Sequence, residues 1–186
     1  MTFDMLSSIL LLMEDVSPGL PGITEETFPP QRTPLSEIQG RSRRLQEMMR
    51  EVELDGIMAT HNADVFYLSG VVQQAQVYLP VAGEPLLMVR KHLGRAQMVS
   101  ELPAGRIVGV RSLRELPDLL QSSTGETALR RIGFEFDTLP VSVFQAYERA
   151  LAGLGAELVD ASNIFRRVRS IKSQYELDQI RHAAEV

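Results

Sequence analysis

Ile57-Met58-Ala59-Thr60, the run from Asn62 to Gly70, then Val77-Tyr78-Leu79-Pro80-Val81 and Leu86-Leu87-Met88-Val89 form the stretch that decides the fold. The first four residues, approached through Gly56, read as a short buried strand. Asn62 is expected to cap a brief helix through Val65, Phe66 and Leu68, and Gly70 to end it as a C-terminal glycine. Val77, Leu79 and Val81 alternate with Tyr78 and Pro80, the two-residue period of a strand. Ala82-Gly83-Glu84-Pro85 then turns the chain into Leu86–Val89, which makes a hairpin. Pro80 has no N–H for a ladder, so its strand is expected at a sheet edge or with a bulge there.

Working outward, Thr33-Pro34 looks like a helix start, with Thr33 as cap and Pro34 in the first position, where its missing N–H costs nothing. Leu35, Ile38, Leu45, Met48, Met49 and Val52 recur at helical spacing, with Arg43, Arg44, Glu47 and Arg50 on the solvated side. Beyond the hairpin the pattern predicts a helix around His92–Leu102 and a strand at Arg106–Val110. Ser112 and Glu115 have the spacing of a capping box, opening a helix to about Leu120, followed by a surface loop over Ser122–Glu126. A strand at Ile132–Phe136, a helix over Pro140–Leu154 and a strand at Glu157–Val159 complete the body. Strands alternating with helices, plus one hairpin, predict a three-layer α/β/α domain with a mixed sheet covered on both faces.

Composition bounds the chemistry. The 186 residues are 44% hydrophobic and 23% charged, ordinary values for a globular chain, and contain no cysteine. That excludes a disulfide scaffold, a thiolate zinc site and a cysteine nucleophile, and fits a cytoplasmic setting. The net charge of −5 supplies no basic footprint for nucleic acid. Residues 1–33 hold five acids against Arg32 alone and account for −4 of it, leaving the body nearly neutral. In this leader, Ile9-Leu10-Leu11-Leu12-Met13 is far shorter than the ~20 residues a membrane span needs. Asp4 is the only charge before that run, so no basic secretory n-region precedes it. Prolines and glycines then interrupt residues 18–30. The leader is expected to be a detachable or loosely docked tail; the other reading is a short helix over Leu6–Met13 covering an apolar patch.

No catalytic constellation is visible. His61, His92 and His182 are scattered, with no HExxH, DxD or His-x-His spacing, so neither a metal site nor a catalytic residue is assigned. Glu135 and Asp137 would share one face of a strand end, where a solvated edge or helix cap outweighs an acid/base couple. GxGxxG, GxxxxGK[ST] and GxSxG are absent, and the methionines read as core filler.

The final segment is the most specific. Ser173 and Glu176 form a second capping box, and the helix behind them puts Leu177, Ile180 and Ala184 on one face. The pattern stops at Val186 in mid-helix, and that apolar face is expected to pack on something downstream. Arg169-Ser-Ile-Lys172-Ser173-x-x-Glu176-Leu-x-x-Ile180-Arg181-x-Ala183 resembles the junction into the catalytic domain of the creatinase/prolidase/aminopeptidase P family. Arg43-x-Leu45, Asp55-Gly56-Ile57, Asn62, Tyr67-Leu68-Ser69-Gly70 and Ile132-Gly133-Phe134-Glu135 resemble motifs of that family's N-terminal domain, in the same order. The match runs over about residues 35–186.

The resemblance implies a ribonuclease-H-like domain at 34–168, lacking that fold's catalytic acids, with 169–186 as the start of a junction helix into a catalytic domain. It implies an Xaa-Pro metallopeptidase as parent, inactive in this segment alone. Two divalent ions (Mn, Co or Zn) would sit on ligands in the catalytic domain, none of them in this segment. The implied partners are that domain, a second copy in a homodimer, and short proline-containing peptides; no nucleic acid or membrane is implied. The implied roles are dimerisation and closing the active-site mouth, with Gln73, Gln74 and Tyr78 as candidates for the substrate entrance. A creatinase-like amidinohydrolase, or a free-standing small-ligand domain, is the alternative.

Overall fold

A computed structural model describes residues 32–125 and 128–185. Helix α1 is Leu35–Glu51, strand β1 Gly56–Ala59, helix α2 Asn62–Ser69, and strands β2 and β3 are Ala75–Pro80 and Leu86–Val89. Helix α3 (Leu93–Val99) leads to β4 (Ile107–Gly109) and α4 (Leu116–Thr124). Then follow β5 (Arg131–Phe134), α5 (Val141–Leu151), β6 (Glu157–Asp160), α6 (Ser162–Ser170) and α7 (Gln174–Ala184). The expectations for residues 1–31 lie outside the described residues.

The six strands form one sheet in the order β4-β3-β2-β1-β5-β6. Only β2 runs against its neighbours, pairing antiparallel with β1 and β3, while every other pair is parallel. The sheet is therefore mixed, and the expected hairpin is β2–β3.

The two-residue side-chain period divides the core. Ile57, Ala59, Val77, Leu79, Leu87 and Val89 face one side, where Ile38, Leu45 and Met49 of α1, Val65 and Leu68 of α2, and Phe165 and Val168 of α6 cover them. Met58, Tyr78, Leu86, Met88, Ile132 and Phe134 face the other, under Leu116 and Leu120 of α4 and Tyr147 and Leu151 of α5. Full burial of each such large apolar side chain contributes about 1.5–3 kcal/mol.

Two glycines in this sheet are dictated by close packing. A Cβ on Gly56 would lie 2.2 Å from the Tyr78 hydroxyl oxygen, and one on Gly133 would lie 2.6 Å from the Ala161 Cβ. Gly70 ends α2 with φ +70°, as its position behind the helix requires.

Several local expectations are corrected. Pro80 is neither at an edge nor in a bulge: β2 lies inside the sheet and ends at Pro80, opposite Gly56, and the next donor, Val81 N–H, bonds to Asp55 O at 2.8 Å. Pro34, not Thr33, is the cap of α1; Thr33 is buried, close against Gly70. His61, one residue earlier than expected, caps α2, and His92 in the left-handed region precedes α3. Helix α4 continues through Ser122–Thr124, whose hydroxyls bond back to Leu119 and Leu120 carbonyls instead of opening a loop. Helix α6 was absent from the expectation altogether.

Candidate functional site

The polar groups concentrate where α1, α2 and α7 meet, and Arg41 is their hub. Its side chain is only 3% exposed. Nε donates to Glu37 at 2.9 Å, one helical turn earlier, and Nη2 to Glu176 at 3.3 Å. Nη1 donates to the Tyr67 carbonyl at 3.1 Å, while the guanidinium lies 4.5 Å from the centroid of the Tyr67 ring. Arg44 donates to the Tyr67 hydroxyl at 3.1 Å. Burial pushes that phenol above its ordinary range, against the pull of Arg44.

The same carboxylate that receives Arg41 also receives the chain behind it. Ser173 Oγ donates to Glu37 at 2.8 Å, and Ser173 and Glu176 complete the capping box that starts α7. Two carboxylates from two helices thus close around one buried guanidinium, whose planar fork suits several acceptors at once. No residue of α7 is itself buried, and its first turn is tied to α1 through Ser173 and Glu176. Ile171, Leu177 and Ile180 are left exposed.

A second polar cluster lies at the end of β5. Glu135, 2% exposed, accepts from Thr60 N at 2.8 Å, Thr60 Oγ1 at 3.2 Å and His61 N at 3.2 Å, all at one oxygen, Oε2. It therefore ties the turn into α2 to the end of β5; buried and bonded ahead of the helix, Glu135 is neither the solvated edge nor the helix cap that the sequence suggests. Asp64, also buried, holds Arg169 of α6 at 3.0 Å and stands 3.4 Å from His61 Nδ1. Burial, then the neighbouring Asp64, pushes the Glu135 carboxyl up to about 8. Asp137 does not join them; it pairs instead with Arg166 at the surface.

The three entrance candidates are not brought together. Gln74 is exposed, and its backbone carbonyl accepts from Arg90 N at 3.0 Å. Gln73 is half-buried, and its amide donates to the Lys91 carbonyl at 3.1 Å, bracing the start of β2 against the end of β3. Tyr78 is fully buried on the α4/α5 side, packed over Gly56, with its hydroxyl unpartnered and pushed well above the usual phenol range by burial. It presents no surface in this chain. Gln76, two residues away on the same face, is buried too and accepts the Tyr147 hydroxyl.

Among the described residues no group of three or more His, Asp or Glu is placed to hold a metal ion, and no helix is long and apolar enough to cross a membrane. Sequence reasoning passed over Arg41, Glu37 and Asp64. The signals were present: Glu37 and Arg41 stand at i,i+4 inside the apolar stripe of α1, and Asp64 lies between apolar residues of α2.

Mixed six-stranded sheet, helices on both faces and a polar junction from which a last helix departs define an α/β domain of the creatinase N-terminal type. The chain belongs to the Creatinase/Prolidase N-terminal domain family, which matches residues 41–171. An uncharacterized peptidase, YqhT, of Bacillus subtilis (strain 168) is 21% identical over 145 residues, 77% of this chain and 39% of that protein. In structure, the Xaa-Pro dipeptidase of Bacillus anthracis is similar, with a TM-score of 0.64 and 21% identity over 76% of this chain and 38% of its own. The N-terminal domain of the cytoplasmic peptidase PepQ of Mycobacterium tuberculosis H37Rv has a TM-score of 0.58 and 22% identity, covering 69% of this chain and 98% of that one. This chain therefore spans well under half of the two longer relatives and nearly all of the isolated domain.

Proposed function

We propose that the chain is the non-catalytic N-terminal domain of a proline-directed dinuclear-metal peptidase, an Xaa-Pro dipeptidase or an aminopeptidase P-like enzyme. The observation that carries this reading is α7. It is anchored at its first turn by Glu37, Arg41, Ser173 and Glu176, and exposes Leu177 and Ile180, with Ile171 exposed just before it, an apolar surface suited to a domain that follows. In this reading residues 169–186 begin the junction, and the following domain holds two divalent ions (Mn, Co or Zn) that supply a nucleophilic hydroxide.

The domain's own work is then dimerisation and gating. Exposed Gln74 and the braced Gln73 sit at the entry to β2, where neutral amides can bond to a peptide backbone or terminal carboxylate without charge preference. Substrates in this reading are short proline-containing peptides, and the setting is cytoplasmic.

The test is to purify the protein together with the residues encoded in frame after Val186 and to assay an Ala-Pro or Gly-Pro dipeptide with Mn2+, Co2+ or Zn2+. Hydrolysis that requires the metal, and that residues 1–186 alone do not perform, is the expected result. Turnover by the 186-residue chain alone, or release of urea from creatine in place of prolyl hydrolysis, contradicts it.

A further inference from the structure

Glu135 has an oxygen that no donor among the described residues satisfies. Oε2 takes all three donors of the β1–α2 turn, while Oε1 is buried and receives none. A buried acceptor left bare keeps its full desolvation penalty, and more so when it is charged. The neighbouring carboxyl is that of buried Asp64: His61 donates its N–H to Glu135 while its ring Nδ1 stands 3.4 Å from Asp64, so the two acids flank one residue, and Asp64 too is an acceptor when ionised. Asp64 already receives Arg169 and stands beside the His61 ring, and neither the Arg169 guanidinium nor the His61 ring bonds Glu135 Oε1.

The charge count points the same way. Around Glu135 stand Asp64 from α2, Arg169 from α6, and His61 and Thr60 from the turn into α2. From α5 comes Tyr147, whose hydroxyl donates to Gln76 of β2 and lies in the field of both Glu135 and Arg90. Asp137, two residues on, is already neutralised by Arg166 of α6. Among the described residues Arg169 is the one arginine bonded here, to Asp64, and two ionised carboxylates in a buried site would leave a net negative charge beside it. One added proton removes both the surplus charge and the bare acceptor.

We propose that Glu135 and Asp64 form an acid–carboxylate pair sharing one proton, which makes the joint between β5, α2 and α6 a pH-sensitive clamp. Glu135 Oε1 carries the proton and donates it to Asp64, while Oε2 keeps its three donors from the turn. When the pair loses the proton to solvent, two buried negative charges face each other across the joint.

The sign of the pH dependence follows. Glu135 shifts from an ordinary value of 4.5 to about 8, so across that window the folded chain holds a proton that the unfolded chain has released. Stability from this pair is therefore greatest at the acidic end, falls as pH rises through the window, and levels off above it. The unfolding constant should rise with a limiting slope of about tenfold per pH unit within the window.

The direct experiment is difference infrared spectroscopy of the 186-residue chain at about pH 6.5, above the range of ordinary carboxyl groups. A protonated-carboxyl C=O band is expected, and Glu135→Gln should abolish it, because the carboxamide N–H replaces the shared proton. The same variant should flatten the fall in stability with pH and melt above wild type at about pH 8.5. No protonated band in wild type overturns the proposal, and so does a band that survives Glu135→Gln. Should that variant fail to fold, Asp64→Asn supplies an N–H donor to Glu135 from the other side; loss of the band supports the pair and its persistence refutes it.

Discussion

On the face covered by α4 and α5 the buried side chains are nearly all apolar, with Gln76, its Tyr147 partner and the Tyr78 hydroxyl as the polar exceptions. On the face covered by α1, α2 and α6, Arg41, Ser42, Gln46, Asp64, Ser69, Ser162 and Glu135 are buried among equally apolar neighbours. The first face is held by packing that depends on shape and volume. The second adds directed contacts that fix where particular backbone segments go: Gln46 binds the Pro80 and Gly83 carbonyls, Arg41 the Tyr67 carbonyl, and Glu135 the Thr60 amide. Polar interiors of this kind add little net stability over an apolar replacement, but losing one partner is costly. The difference teaches that the apolar face maintains the sheet, whereas the polar face positions the elements that leave it, α7 above all.

Substitutions can break this division. Phe134→Ala, in the middle of the apolar face with its ring 5.2 Å from that of Tyr147, should lower unfolding free energy by about 3–5 kcal/mol in a urea titration. Arg41→Ala should cost a similar amount, about 3–5 kcal/mol, because Glu37 and Glu176 are left without their shared cation. Gly56→Ala forces a methyl into the Tyr78 ring, an overpacking of about 1–3 kcal/mol, read as a lower melting temperature with α7 unaffected. Ser173→Ala removes a cap and should cost about 1 kcal/mol, with helical signal lost from α7 alone. The smallest stability effect belongs to Gln73→Ala with Gln74→Ala, within about 0.5 kcal/mol. On the proposed function, the same pair in the peptidase that carries this domain should raise KM several-fold for dipeptides with kcat and metal content unchanged; an unchanged KM would leave Gln73 as a brace on Lys91 and Gln74 as a solvent-facing side chain only.

The apolar strands of the sheet were legible in the sequence, because the continuous apolar runs at Ile57–Ala59 and Leu86–Val89 and the alternation at Val77, Leu79 and Val81 need no tertiary information. Capping boxes at Ser112/Glu115 and Ser173/Glu176 were legible too, being purely local. The polar half was not. Arg41 looks like its neighbours Arg43 and Arg44 until α7, 135 residues later, delivers Glu176 to it. Tyr78 reads as a strand residue alternating with Val77 and Leu79 and as a candidate for the substrate entrance, and only the inner position of β2 and the bare Cα of Gly56 show that its ring is covered. Helix α6 was passed over because Arg166, Arg167 and Arg169 mask the Ile164, Phe165 and Val168 face that packs on α1. Pro80 misled in the opposite direction, since a proline that ends a ladder needs no edge.

Amide hydrogen exchange in wild type and Arg41→Ala tests the central claim most directly. An isolated helix of 11 residues is marginal in water, so α7 depends on its anchored first turn. Under conditions where both proteins remain folded, the account predicts that Arg41→Ala strips protection from Gln174–Ala184 while β1 and β2 amides keep theirs. Unchanged protection in α7, or a loss spread evenly over sheet and helix alike, would contradict the claim that the buried polar cluster exists to position the departing helix.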